Sequence, residues 1–104
     1  MEQHLKINRN ILDWEWFSDS AMVSVWIHIL FGASDEEYIN MGAVIKRGQL
    51  MINSNIFAQS CGISTSDLKT CIRRLCECGF ISVESNRNCT IITVVGYEKF
   101  LIPE

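Results

Sequence analysis

The sequence predicts an α+β fold, a bundle of short helices joined to a small antiparallel β-hairpin, on three grounds. Apolar residues recur at helical spacing over residues 18–33 and again over 64–78. Gly62 splits the stretch before residue 79 into two short helical segments. The β-branched runs at 80–85 and 89–95 flank Asn86-Arg87-Asn88, which reads as the compact tip of a hairpin. With 104 residues, 48% of them apolar, the chain has the size and hydrophobic content of one domain spanning residues 1–104.

Asn8 or Asn10 is placed to cap a short helix through Trp16, with Ile7, Ile11 and Trp14 at helical spacing. Ser18 and Asp19 are capping types for a second helix to about Ala33. Met22, Val25, Trp26, Ile29 and Leu30 form its apolar stripe, widened by Val23, Ile27 and Phe31. Ser20, Ser24 and His28 leave only a narrow wet edge, so this helix is buried on most sides or meets another chain. The acidic turn Asp35-Glu36-Glu37 leads into weakly extended residues up to Ile45. Lys46-Arg47-Gly48 is a turn, and Gln49 to Ile52 a short strand. Asn53 or Ser54 caps a third helix that ends at Gly62. Ser64-Thr65-Ser66-Asp67 resembles a capping box opening a fourth, whose buried stripe is Leu68, Cys71, Ile72 and Leu75 and whose stop is Gly79. Two helices, about 54–61 and 65–78, a tight glycine turn between them and a hairpin at about 80–95 are the layout of a winged helix-turn-helix. Ala58 allows the two helices to approach, and Ile63 and Leu68 pin the second onto the first.

The bulk properties restrict function. The N-terminal MEQHLKINRN lacks the apolar stretch of a signal peptide. The longest apolar-rich run, Ala21 to Phe31, is about two-thirds of the shortest membrane-spanning helix, so a soluble, cytoplasmic protein without membrane contact is expected. Five cysteines, an odd number without an export signal, favour reduced thiols over a disulfide framework. The net charge is −3, but unevenly spread: residues 1–40 hold two basic and seven acidic residues, residues 41–104 seven basic and five acidic. An acidic front and a mildly basic back permit oriented contact with phosphate.

If the apolar stripe of the fourth helix faces inward, its opposite face presents Thr65, Ser66, Lys69, Thr70 and Arg73, with Arg74 and Glu77 toward its edges. Short hydroxyls at a helix start approach phosphate or base edges closely. Lys69 and Arg73, one turn apart, can span backbone phosphates or reach guanine in a major groove. Arg87, between Asn86 and Asn88 on the hairpin tip, suits an adjacent groove. The face thus reads either as a contact to double-stranded DNA or as an ordinary solvated helix surface, with Asp67 and Glu77 repelling phosphate.

The other constellations read as structure. Cys71, Cys76 and Cys78 project in different directions from one helix and do not converge as zinc ligands. Buried or half-buried thiols account for the cysteines. His28 and Ser24 lie one turn apart without an acid or an oxyanion site, and no phosphate loop, carboxylate pair or nucleophile elbow appears, so neither an enzyme nor a cofactor is expected. Trp14, Trp16 and Trp26 read as core, or as part of a partner interface.

The segments "ILDWEWFSD", "IKRGQL", "GISTSDLKTCIRRLCECGFISVES" and "CTIITVVGYEKF" fall in an order that resembles the N-terminal winged-helix domain of phage- and prophage-encoded replication initiators of the DnaD-like, replisome-organiser type. The resemblance covers residues 5 to 100. It implies a domain that binds origin DNA or self-associates and helps recruit the helicase-loading machinery. On that pattern the recognition helix is Thr65 to Cys78 and the wing Ser85 to Cys89, with Lys69, Thr70, Arg73 and Arg87 facing DNA. The helix is less basic and richer in cysteine than the family pattern, and the helicase-contacting helical domain that members often carry has no match in residues 1–104. The competing expectation is a protein-interaction module, in which residues 11–31 form a homodimer or dock on a replication partner. A small transcriptional regulator is a further alternative.

Overall fold

Local capping chemistry sets where the helices begin. The computed structural model describes residues 5–85 and 89–100. Three α-helices and two small antiparallel sheets follow the order α1 (Ser20–Gly32), β1 (Tyr38–Asn40), β2 (Ala43–Ile45), β3 (Gln49–Ile52), α2 (Ser54–Cys61), α3 (Thr65–Glu77), β4 (Ile81–Ser85) and β5 (Thr90–Val94), with 3-10 helices at Arg9–Asp13 and Tyr97–Phe100. Asp19 Oδ1 accepts from the Ala21 and Met22 amides at 3.0 and 3.2 Å, starting α1. Asn53 does the same for α2 and Ser64 for α3. The capping box at Ser64 is half made. Its hydroxyl accepts from Asp67 N at 3.0 Å, but no return bond from the shorter Asp67 side chain forms among the described residues.

Helix ends are set as locally as their starts. Gly62 adopts φ +77°, which lets the Ile63 amide fold back on the Ala58 carbonyl at 3.0 Å. Phe80 closes α3 the same way, its amide 3.0 Å from the Leu75 carbonyl. Each closure delivers an apolar residue, Ile63 or Phe80, onto the core.

The expected helix from residue 8 to Trp16 is instead a 3-10 helix over Arg9–Asp13, capped by Asn8 and followed by turns. Successive i→i+3 bonds (Ile11 N to Asn8 O, Trp14 N to Ile11 O, Phe17 N to Trp14 O) carry it forward. Residues three apart align on a 3-10 helix, so Ile11 and Trp14 reach the core side without an α-helix.

The core lies between α1, α3 and the larger sheet. Met22, Val25, Trp26, Ile29 and Leu30 of α1 are all buried, as are Leu68, Cys71 and Leu75 of α3 and Leu50, Ile52, Ile81, Ile92 and Val94 of the sheet. Ala58 is 2% exposed, the close approach of α2 to its neighbours that a small residue permits. The wet edge expected on α1 is partly covered: Ser20 is exposed, while Ser24 and His28 are half-buried. Ser24 Oγ donates to the Cys61 carbonyl at 3.0 Å, satisfying a carbonyl at the end of α2. His28 Nδ1 donates to the Ser24 carbonyl at 2.7 Å, and its ring meets Phe57 edge-on.

The hairpin at 80–95 is part of a larger sheet. β5 is central, with β4 on one side and β3 on the other, in the order β3-β5-β4. Gln49 pairs with Thr93 and Ile52 with Thr90, while Ile81 pairs with Val94 and Ser85 with Thr90. The Lys46–Gln49 turn ties this sheet to the segment after α1 and to the C-terminal 3-10 helix. Arg47 grips Glu98 with two nitrogens at 2.6 and 3.1 Å and donates to the Asp35 carbonyl at 3.2 Å. Gln49 accepts from Lys46 N and donates to Thr93 Oγ1, both at 2.9 Å.

Residues 38–45, expected only as weakly extended, form a second hairpin. Met41 and Gly42, at φ +52° and +80°, supply the two positive-φ positions of a two-residue turn between Asn40 and Ala43. Ile45 is buried on its inner face, while Ile39 and Val44, paired across the outer face, are 74% and 50% exposed.

Candidate nucleic-acid interface

α3 is held from behind by Leu68, Cys71 and Leu75, with Ile72 half-buried, so its orientation follows from its apolar period. The opposite side bears Ser66, Lys69 and Arg73, all exposed, with Thr65 and Thr70 half-buried beside them. Five of the six α3 residues singled out by sequence therefore share one continuous surface. The Thr70 hydroxyl donates to the Ser66 carbonyl at 3.3 Å. Lys69 makes no ion pair among the described residues. Arg73 Nε lies 3.7 Å from Glu77 Oε1, but the two side chains are 67% and 68% exposed. Such an exposed i,i+4 pair contributes about 0.3–0.5 kcal/mol, so a phosphate can take Arg73 from Glu77 at small cost.

Arg74 is engaged elsewhere. Its guanidinium carbon sits 4.2 Å from the Trp16 ring centroid, and Nη1 is 3.7 Å from Asp19 Oδ2. It thereby joins α3 to the segment that caps α1, a cation–π and ionic clamp across 55 residues (Asp19 to Arg74) that local sequence patterns cannot reveal. Arg87 lies outside the described residues, together with Asn86 and Asn88. The strands on either side of it in sequence, β4 and β5, stand beside each other in the register given above.

The cysteines stay apart from this surface chemistry. Cys61 and Cys71 are buried, and burial first, then the neighbouring charges, pushes both thiols above their ordinary pKa. Partial burial, then Glu77, raises Cys76 as well. Among the described residues no group of three or more His, Cys, Asp or Glu side chains is placed to hold a metal ion. No helix among them is long and apolar enough to cross a membrane.

The region 11–31 presents less apolar surface than its composition suggests. Its main stripe is spent on the protein's own core, and its large exposed apolar residues are Leu12, Phe17 and Phe31. Comparison with known protein families, with characterised proteins and with solved structures finds no match.

Proposed function

We propose that the chain is a winged helix-turn-helix module that binds double-stranded DNA, with α3 as the recognition helix, and that it serves replication initiation of the phage or prophage type. The observation that carries this reading is the arrangement on α3: Ser66, Lys69, Thr70 and Arg73 on one outward stripe, backed by a buried apolar stripe that fixes it. The α2-turn-α3 pair and the adjoining β3-β5-β4 sheet supply the scaffold that the DNA reading requires. Lys69 and Arg73 would meet phosphate or guanine, the hydroxyls of Ser66 and Thr70 would bond phosphate oxygens, and Arg74 would orient α3 from its clamp with Trp16 and Asp19. The replication role rests on the resemblance of the four sequence segments above.

A protein-interaction role has its own support in the β1–β2 hairpin, where Ile39 and Met41 are 74% and 82% exposed, and in Leu12, Phe17 and Phe31. Amide shift mapping with a short duplex separates the two readings. DNA binding through α3 moves the signals of residues 65–73. Shifts confined to residues 11–31 and 38–45, or none at all, overturn it.

A further inference from the structure

We propose that the cleft between residues 6–14 and 95–100 binds a small aromatic anion, a flat apolar ring system carrying a carboxylate or sulfonate. The cleft encloses about 660 Å³, and small-molecule sites run to roughly 300–1,000 Å³. Its floor is aromatic. Trp14 stacks on Phe80 at 5.3 Å between centroids, Phe80 lies 5.1 Å from Trp26, and Phe100 meets Trp26 edge-on at 5.8 Å. Among the described residues, two lysines, Lys6 and Lys99, and one acidic residue, Asp13, line it. Lys99 Nζ is 5.4 Å from the Phe100 ring centroid, which holds its charge beside the apolar floor.

Charge decides the class of ligand. Residues 1–40 hold seven acidic and two basic residues, yet one of those two bases lies in this cleft together with Lys99 from the other end of the chain. An aromatic cation would meet both ammonium groups, and a neutral ring would use the floor alone. An aromatic anion uses both, and the local potential draws it in. The 3-10 segment Arg9–Asp13 contributes Asn10, Ile11 and Asp13 to the lining, and Trp14 follows it directly. None of the residues on the outer stripe of α3 lines the cleft, so this inference stands apart from the DNA reading.

The test uses 2-naphthoate and its cationic counterpart, 2-naphthylmethylammonium, titrated into the full chain while the three tryptophan indole N–H signals are followed by NMR. Trp14 and Trp26 line the cleft and Trp16 does not, so an internal control is built in. Saturable shifts of Trp14 and Trp26 with naphthoate, a stationary Trp16 and a response to the cation weaker by about tenfold or more are expected. Lys6→Glu with Lys99→Glu, both exposed side chains, should weaken naphthoate by a similar factor. Val95→Trp, on the cleft wall and 48% exposed, should block both ligands. Equal binding of the two charges, indifference to the lysine reversals in a folded variant, or shifts undiminished by Val95→Trp would overturn the proposal.

Discussion

Replacing Gly48 by alanine probes the turn that joins the segment after α1 to the C-terminal 3-10 helix. Gly48 has φ +84°, and a Cβ placed there would sit 2.9 Å from Tyr97 Cβ and 3.2 Å from its Cγ. Tyr97 has little room to retreat, since its hydroxyl reaches the Ala33 carbonyl at 3.4 Å and the next residue, Glu98, is gripped by Arg47. Gly62 provides the control, with a similar φ of +77° and nothing within 4 Å of its added Cβ. The left-handed conformation alone costs a non-glycine residue about 1–2 kcal/mol. Overpacking at Gly48 adds about 1–3 kcal/mol. Gly48→Ala should therefore lose about 2–5 kcal/mol and Gly62→Ala about 1–2 kcal/mol. At about 4–8 °C per kcal/mol for a domain of this size, the two separate clearly in thermal unfolding followed by circular dichroism. Replacing Tyr97 by glycine, which removes both the Cβ and the ring that the new methyl meets, should in the Gly48→Ala background give less than the sum of the two losses. Equal destabilisation at the two glycines, or additivity with Tyr97→Gly, would refute the steric argument.

Asp19→Ala removes the cap of α1 and a partner of Arg74, and urea unfolding should report a loss of about 1–2 kcal/mol. Arg74→Ala should destabilise by about 1 kcal/mol through the lost Trp16 contact, while leaving the salt dependence of DNA binding near that of the parent. Glu77→Gln releases Arg73 and removes a charge that repels phosphate, so it should tighten DNA binding; weaker binding would place Glu77 in the contact. The raised thiol pKa values make a pH prediction. Below the ordinary thiol value of 9.0 Cys61 and Cys71 are protonated in both states, and above it the unfolded chain ionises first. Stability should thus hold at neutral pH and fall as pH rises through that point, and replacing both by alanine should flatten the fall. At neutral pH, alkylation of Cys61 and Cys71 should await unfolding, whereas exposed Cys76 should react in the folded protein.

What could be read from sequence was what is locally determined. Asp19, Asn53 and Ser64 cap helices with their own neighbours, and Gly62 ends one, so composition and spacing suffice to find them. The buried stripe of α1 was legible because five apolar residues on one face leave little choice. The pairing of β3 with β5 was not, since Gln49 and Thr93 are brought together only by the fold. The β1–β2 hairpin escaped for another reason: its turn uses Met41, a residue that gives no sign of positive φ. The segment Arg9–Asp13 and the Trp14 that caps it carry Ile11 and Trp14 at a spacing that suits a 3-10 helix as well as an α-helix. At the candidate interface the period of α3 placed Ser66, Lys69 and Arg73 outward. It could not show that Arg74 leans on Trp16 and Asp19, because that clamp depends on where residues 14–19 pack.

The central claim is that the outer stripe of α3 meets DNA phosphate. Its most direct test is fluorescence anisotropy of a labelled duplex titrated at several salt concentrations with the parent chain and with the Lys69→Ala/Arg73→Ala double variant. The account predicts salt-sensitive binding whose log K against log salt slope falls in magnitude by about 1.8 in the variant, or about 0.9 per phosphate contact. No binding at low salt, or a slope and affinity unchanged by the double substitution, would contradict it.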